Sequence, residues 1–175
     1  MPNSLGWSRP ARHSLAHALT ARRRAGKESD GLPAGARWLN RGMLKTKSVH
    51  SPIEAGDGLR ILATRFRGRG LPTDRYDIWM ANLGPSETLL KSVHAGKIKW
   101  REFSKRYREE MFAPAATDAG NATIKNHGQK FTLRLIAKLA DKENVTLLCH
   151  CAEDAKECHR FELQKLIERE CGGKA

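Results

Sequence analysis

The sequence predicts an α/β fold, with a small, mainly parallel sheet flanked by helices and a disordered basic N-terminal arm. Segments of strand length, at residues 44–49 (with polar interruptions), 59–66 and 145–149, alternate with longer amphipathic segments. A helix between successive strands implies right-handed crossovers and parallel pairing. The first 42 residues are instead rich in arginine, poor in acidic residues and irregular, which is typical of chain that forms no core.

Turn signals and apolar spacing delimit the elements. The glycine-rich residues 67–72 must form a loop after the second strand, whereas the sequence does not decide between strand, helix and loop for residues 77–81. Apolar spacing predicts helices from 85 to about 94, over 99–111, from about 131 to 141 and from about 154 to 171. Ser86 is expected to cap the first helix. The apolar stripes comprise Trp100, Phe103, Tyr107 and Met111 in the second helix, Phe131, Leu135 and Leu139 with Ile136 beside them in the third, and Phe161, Leu163, Leu166 and Ile167 in the last.

Length and charge limit the organisation and the partners. A chain of 175 residues predicts one domain, over 43–171, after the extension 1–42. Three interpretations of the extension stay open: a basic disordered arm, an organelle transit peptide, or translation begun upstream of a native start at Met43. The net charge of +13 indicates anionic partners, such as nucleic acid, phosphate metabolites or acidic membrane surfaces. No apolar run has the length of a membrane span and no signal peptide begins the chain, so a cytoplasmic location is expected.

The densest chemistry lies where the last strand meets the last helix. Cys149 and Cys151 are expected on the same face of the extended chain, with His150 between them as possible support. Cys158 is expected in the first turn of the helix, where the helix dipole and a neighbouring cation favour a thiolate. These residues predict a nucleophilic or redox-active cysteine, with Cys158 or Cys149 as the reactive thiol and His159 as acid or base.

Arginines complete the predicted site. Arg65 ends the second strand, and Arg67 and Arg69 lie in the glycine-rich loop beyond it. If that strand lies beside the last one, these guanidinium groups and Arg160 would form an anion receptor at the carboxyl edge of the sheet. Asp77 is predicted to support the site, either by pairing with Arg65, Arg67 or Arg69 or by capping a turn.

The cysteines and arginines also have plainer interpretations than a reactive anion site. Buried cysteines can act as small hydrophobic residues, and the arginine loop can simply be solvated. A zinc site is not expected, because Cys-x-Cys followed by a six-residue gap is a poor ligand spacing and because Cys158 and His159 would diverge by about 100° on one helix. Neither Cys149 nor Cys151 is followed by arginine at the spacing of a cysteine phosphatase. No metal and no cofactor is predicted.

A family resemblance rests on the order of several short motifs. These are Thr64-Arg65-Phe66-Arg67-Gly68-Arg69-Gly70, Tyr76-Asp77-Ile78-Trp79, Leu83-Gly84-Pro85-Ser86, the helix with Trp100, Phe103, Arg106 and Tyr107, and Leu147-Leu148-Cys149 followed by Cys158-His159-Arg160. Together they resemble the domain of unknown function 488 family over residues 43–170. The resemblance implies a small α/β domain and names no activity. Thr64 stands where many members carry an acidic residue, and His150-Cys151 replaces a sequence that contains fewer thiols.

The prediction for function follows from the site. A small enzyme or sensor that binds an anionic small molecule beside a reactive cysteine is expected. The alternative is a non-catalytic module that binds nucleic acid or protein through its basic surface. The enzyme interpretation requires the early arginines and the late cysteines to meet at one edge of the sheet.

Overall fold

The structure, a computed structural model, describes residues 42–121, 123 and 127–172. The strands are β1 (Leu44–Ser48), β2 (Leu59–Leu62), β3 (Ile78–Trp79) and β4 (Val145–Cys149), and the helices are α1 (Glu87–His94), α2 (Trp100–Phe112), α3 (Lys130–Ala140) and α4 (His159–Gly172). Short 3-10 turns lie between them, including one at Ala116–Gly120. The predicted basic arm, apart from Gly42, lies outside the described residues and stays a prediction, as does the domain boundary.

The sheet is parallel throughout, in the order β1-β4-β2-β3. The α/β prediction is therefore confirmed, and the segment at 78–79, which the sequence left unassigned, is a short edge strand. β4 lies at the centre: Ser48 of β1 is aligned with Cys149, and Leu62 of β2 is aligned with Leu148. The carboxyl ends of three strands consequently share one edge, where the Val49 amide donates to the Cys149 carbonyl at 2.8 Å.

The two faces of the sheet are covered differently. Ile61 and Leu147 belong to a buried cluster to which all four helices contribute. Leu62 and Leu148 point the other way and join a smaller cluster with Leu71. Because side chains alternate along a strand, Cys149 lies on the helix-covered face, two residues beyond Leu147. This register places its sulfur against the start of α4.

The helices lie close to their predicted positions in the sequence, but the side of each helix that is buried was predicted less well. Ser86 caps α1 by accepting a hydrogen bond from the Leu89 amide at 3.2 Å, as expected. In α3 half of the predicted stripe lies outside the core: Phe131 and Leu135 are each 57% exposed, whereas Ile136 is buried and Leu139 packs against the core. Leu133, which was not predicted, is also buried. The apolar surface of α3 is wider than the face that the sheet and α4 cover, and periodicity does not tell which part is covered.

The last helix begins later than expected, at His159 rather than near residue 154. Residues 152–157 form turns instead. Leu163, Leu166 and Ile167 are buried as predicted, but Phe161 is only half-buried. Among the described residues, no helix combines the length and the apolar character that crossing a membrane would require.

Candidate functional site

A cavity of about 180 Å³ lies at the carboxyl edge of the sheet. It is lined by residues 64–66 after β2, by Pro85, Leu90 and His94 at and near α1, by Cys149, His150 and Cys151 at the end of β4, and by His159 of α4. Two larger depressions, of about 710 and 430 Å³, contain no cysteine or histidine. The small cavity is therefore the one in which reactive side chains meet.

Three cysteines and one histidine form a compact cluster beside this cavity. The Cys149 sulfur lies 3.5 Å from the Cys151 sulfur and 3.8 Å from Nδ1 of His159. The ligand atoms of Cys149, Cys158 and His159 all lie within 4.8 Å of one another. Cys151 is half-buried, whereas the other three side chains are buried. We refer to Cys149, Cys151, Cys158 and His159 as the thiol cluster.

Within the thiol cluster, negative charge is most stable on Cys151. Hydrogen bonds from the thiols of Cys149 and Cys158 lower the pKa of Cys151, and the charge of Arg160 acts in the same direction. The pKa of Cys149 is raised, first by its hydrogen bond to Cys151. A hydrogen bond with Cys149 acts to lower the pKa of Cys158, but the bond to Cys151 and burial outweigh it and raise that pKa. The cluster therefore holds one thiolate, on Cys151, and two thiol donors stabilise it.

His159 is held in one tautomer. Its Nε2 atom lies 2.6 Å from the carbonyl oxygen of Ala63, so the proton resides on Nε2 and the lone pair of Nδ1 faces Cys149. Burial lowers the pKa of His159, which keeps the ring neutral. The ring also meets Tyr107 edge-on at 5.8 Å between centroids. A neutral imidazole therefore presents an acceptor to the thiols.

Arg65 lies in the cavity wall, but its guanidinium is already used. It donates to the carbonyl oxygens of Gly84 at 2.7 Å and Pro85 at 3.0 Å. A side chain at position 84 is not tolerated, because a Cβ there would lie 2.2 Å from the Arg65 amide nitrogen. This contact fixes the segment that leads into α1 against the end of β2.

The other early residues of the predicted site lie farther out. Arg67 donates to the Tyr76 hydroxyl at 3.5 Å, and Arg69 is exposed; neither lines the cavity. Asp77 pairs with Arg60 at 2.8 Å rather than with any of the three predicted arginines. That ion pair lies at the amino end of β3, away from the edge that carries the thiol cluster.

Arg160 is buried, at 1% exposure, and its guanidinium donates to backbone rather than to open solvent. Its acceptors are the carbonyl oxygens of residues 151–153, at 3.3, 3.0 and 3.0 Å. The structure thus shows Arg160 holding the loop after β4 in place, and with it the Cys151 backbone. Its role as an anion ligand stays a prediction.

His150 joins the early loop to the late cysteines. Its Nε2 atom lies 2.9 Å from the Arg67 carbonyl oxygen. Gly68 has a φ of +90°, and a Cβ at that position would lie 2.7 Å from the His150 ring. The glycine-rich loop and the end of β4 therefore meet at one edge, but of the three early arginines only Arg65 lines the cavity.

Sequence reasoning missed the contribution of α1. His94 and Leu90 complete the cavity from a helix 55 or more residues away in sequence, with no spacing signal to link them to the cysteines. Thr64 is buried and donates its hydroxyl to the Phe66 carbonyl at 2.7 Å. The threonine closes a turn that shapes the cavity wall.

The fold and the cluster define a class: an α/β protein with a parallel sheet and cysteines gathered at its carboxyl edge. A family model described as the active DUF488-N3 subclade matches residues 44–171. The chain belongs to this family, which confirms the resemblance seen in its motifs.

Its relatives bear names that state no activity. Uncharacterized protein YeaO of Escherichia coli K12 is 29% identical over 122 residues, which cover 69% of this chain and 92% of YeaO. Uncharacterized protein Rv3073c of Mycobacterium tuberculosis H37Rv is 32% identical over 75 residues, which cover 42% of this chain. The match spans 64% of the length of that mycobacterial protein. No solved structure matches the chain significantly.

Proposed function

We propose that the protein is a thiol-dependent enzyme or sensor for a small anionic molecule, with Cys151 as the reactive thiolate and Cys149 as its resolving partner. The observation that carries this proposal is the 3.5 Å separation between a half-buried sulfur and a buried one at the wall of a cavity. The sequence favoured Cys158 as nucleophile. Its burial and raised pKa make it the weaker candidate.

In the proposed reaction a small disulfide is the oxidant. The Cys151 thiolate attacks one sulfur of the disulfide, whose S–S bond breaks and releases one thiolate. Cys149 then attacks the Cys151 sulfur and releases the second thiolate, while Nδ1 of His159 takes the Cys149 proton and passes it to a departing thiolate; solvent protonates the other. A Cys149–Cys151 disulfide and two small thiols result, so the protein loses the two electrons that the substrate gains.

The cavity limits the size and charge of the substrate. Its volume of about 180 Å³ is below the roughly 300 Å³ at which pockets for drug-sized ligands begin. His94 and Arg65, whose guanidinium also binds the Gly84 and Pro85 carbonyls, are basic side chains at its wall that would face an anionic group. We infer that only a small, anionic molecule, or one end of a larger one, reaches Cys151.

Substituting Cys151 with serine should remove the fast-reacting thiol. An ordinary cysteine is only a few per cent thiolate at pH 7 and roughly 0.03% thiolate at pH 5, so at pH 5 Cys151 should be the fastest-reacting thiol toward iodoacetamide, because its thiolate fraction there outweighs its lower intrinsic nucleophilicity. Labelling rates and the mass of the modified peptide measure this. The rate should stay nearly constant from pH 8 to pH 5.

The matched control is Cys158→Ser, which should leave the fast phase in place because the Cys149 thiol still donates to Cys151. If Cys158 is labelled first, or if every thiol reacts with the steep pH profile of a free cysteine, the proposal is wrong.

A second function is favoured by a basic groove formed by α2 and the residues just before it. A depression of about 710 Å³ is lined by Ile98, Glu102 and five cationic side chains, namely Lys97, Lys99, Arg101, Lys105 and Arg108. Arg108 pairs with Glu162, and Lys105 lies 4.0 Å from Glu109. The remaining three cations have no ion pair among the described residues, so the groove could bind the phosphates of a nucleic acid.

Replacing Lys97, Lys99 and Arg101 together with alanine should weaken binding to RNA or DNA of arbitrary sequence. If the groove contacts phosphates, the slope of log K against log salt should fall by about one for each lost contact. Fluorescence anisotropy at several salt concentrations measures both quantities. Lys138→Ala, on the exposed side of α3, is the control and should change neither. An unchanged slope in the triple variant contradicts this second function.

A further inference from the structure

We propose that the thiol cluster binds one zinc ion in tetrahedral coordination, through the sulfur atoms of Cys149, Cys151 and Cys158 and Nδ1 of His159. This inference goes beyond thiol chemistry and does not require Cys151 to react with any substrate. If both hold, zinc occupies the thiolates and switches the reaction off until it leaves.

The distances within the cluster match a tetrahedral site. Zinc binds cysteine sulfur at about 2.3 Å and histidine nitrogen at about 2.0–2.1 Å, so tetrahedral angles separate two sulfurs by roughly 3.8 Å and a sulfur from a nitrogen by roughly 3.6 Å. The Cys149 sulfur lies 3.5 Å from that of Cys151 and 3.8 Å from Nδ1 of His159. The Cys158 sulfur lies within 4.8 Å of Cys149 and His159. Cys151 joins this group through its 3.5 Å contact with Cys149, and its sulfur must move toward Cys158 and His159 to close the tetrahedron.

One of the two sequence arguments against zinc fails for a structural reason. It assumed that Cys158 and His159 both lie on the helix, where adjacent side chains diverge by about 100°. α4 begins at His159, so Cys158 precedes its first residue. At the end of a turn, Cys158 is free of the helical angle, and its sulfur converges on the His159 ring.

An independent feature prepares His159 for a metal. Histidine ligands usually donate their second ring N–H to a backbone carbonyl or a carboxylate, which fixes the tautomer and directs the free lone pair to the ion. Nε2 of His159 makes this bond to the Ala63 carbonyl at 2.6 Å. Nδ1, the atom that faces Cys149, is therefore unprotonated and available. The ring is buried, so water does not compete for that lone pair.

The chemistry of the donor set selects the kind of ion. Three thiolates and one imidazole are soft ligands, which favour zinc over magnesium or calcium. Three thiolates around a divalent ion leave one net negative charge. Arg160, whose guanidinium binds the carbonyls of residues 151–153, lies close enough to compensate that charge and also holds Cys151 in reach.

Cobalt is the spectroscopic probe for the test. The full chain is reduced, stripped with a chelator and titrated with Co²⁺ without oxygen; Zn²⁺ is then added in competition. We expect saturation at one equivalent, the visible absorption of tetrahedral cobalt with thiolate charge-transfer bands, and displacement by zinc. Cys158→Ser should weaken binding at least ~100-fold. His127→Gln is the matched control, since His127 is exposed before α3 and does not line the cavity, and this variant should bind cobalt normally.

The outcomes separate this inference from the proposed function. Octahedral cobalt, no saturable binding in the folded wild-type chain, or unchanged affinity in Cys158→Ser overturns the zinc site. Tetrahedral binding in a protein whose metal-free form lacks the fast-reacting thiol supports the zinc site and refutes the reactive cysteine. Fast labelling of Cys151 that saturating zinc slows supports both. Circular dichroism of each metal-free variant establishes that a loss of binding is not a loss of fold.

Discussion

Replacing Arg160 with methionine should lower the free energy of unfolding by about 3 kcal/mol. The guanidinium is almost fully buried and donates to three successive backbone carbonyls of the loop after β4. Methionine fills a similar volume but donates no hydrogen bond, so the loop loses its anchor. Hydrogen bonds from charged donors contribute about 1.5–3 kcal/mol each, and solvation of the freed carbonyls offsets part of that loss. Urea denaturation followed by circular dichroism measures the change.

Arg169→Met is the matched control, because Arg169 lies on the exposed side of the same helix. It should change the free energy of unfolding by less than about 0.5 kcal/mol. Arg160→Met should also slow iodoacetamide labelling of Cys151, since the loop that presents this thiol is no longer fixed. If Arg160→Met is as stable as the wild type, the guanidinium does not hold the loop in solution, and an anion-binding role regains support.

The sequence determined the kinds of element but not their order in the sheet. Continuous apolar residues at 145–149 identify a buried strand, and the intervening amphipathic segments imply parallel pairing. Nothing local states that the last strand lies between β1 and β2, because that placement depends on contacts about a hundred residues apart. The edge strand at Ile78–Trp79 was missed for a related reason: two residues carry too little periodicity to distinguish a strand from a loop.

The location of the candidate site could be predicted from the sequence, because reactive residues are clustered there. The geometry of those residues was harder to predict. The density of thiols after β4 and the shared edge of parallel strands suffice to place Arg65 and Cys149 at one cavity. The ranking of the thiols was not predictable, because it depends on the start of α4 and on the burial of Cys158. The use of Arg160 was equally hidden: only the folded loop presents three carbonyls to its guanidinium.

Leu147→Ala should destabilise the protein by about 3–4 kcal/mol, since Leu147 is fully buried in the central strand and truncation leaves a cavity between the sheet and the helices. Leu135→Ala makes the same chemical change on α3, where the side chain is 57% exposed, and should cost less than about 0.5 kcal/mol. Urea denaturation of the two variants at equal protein concentration measures the contrast. Equal losses would mean that the outer face of α3 is covered in solution; the apolar stripe of Phe131 and Leu135 would then mark an interface rather than free surface.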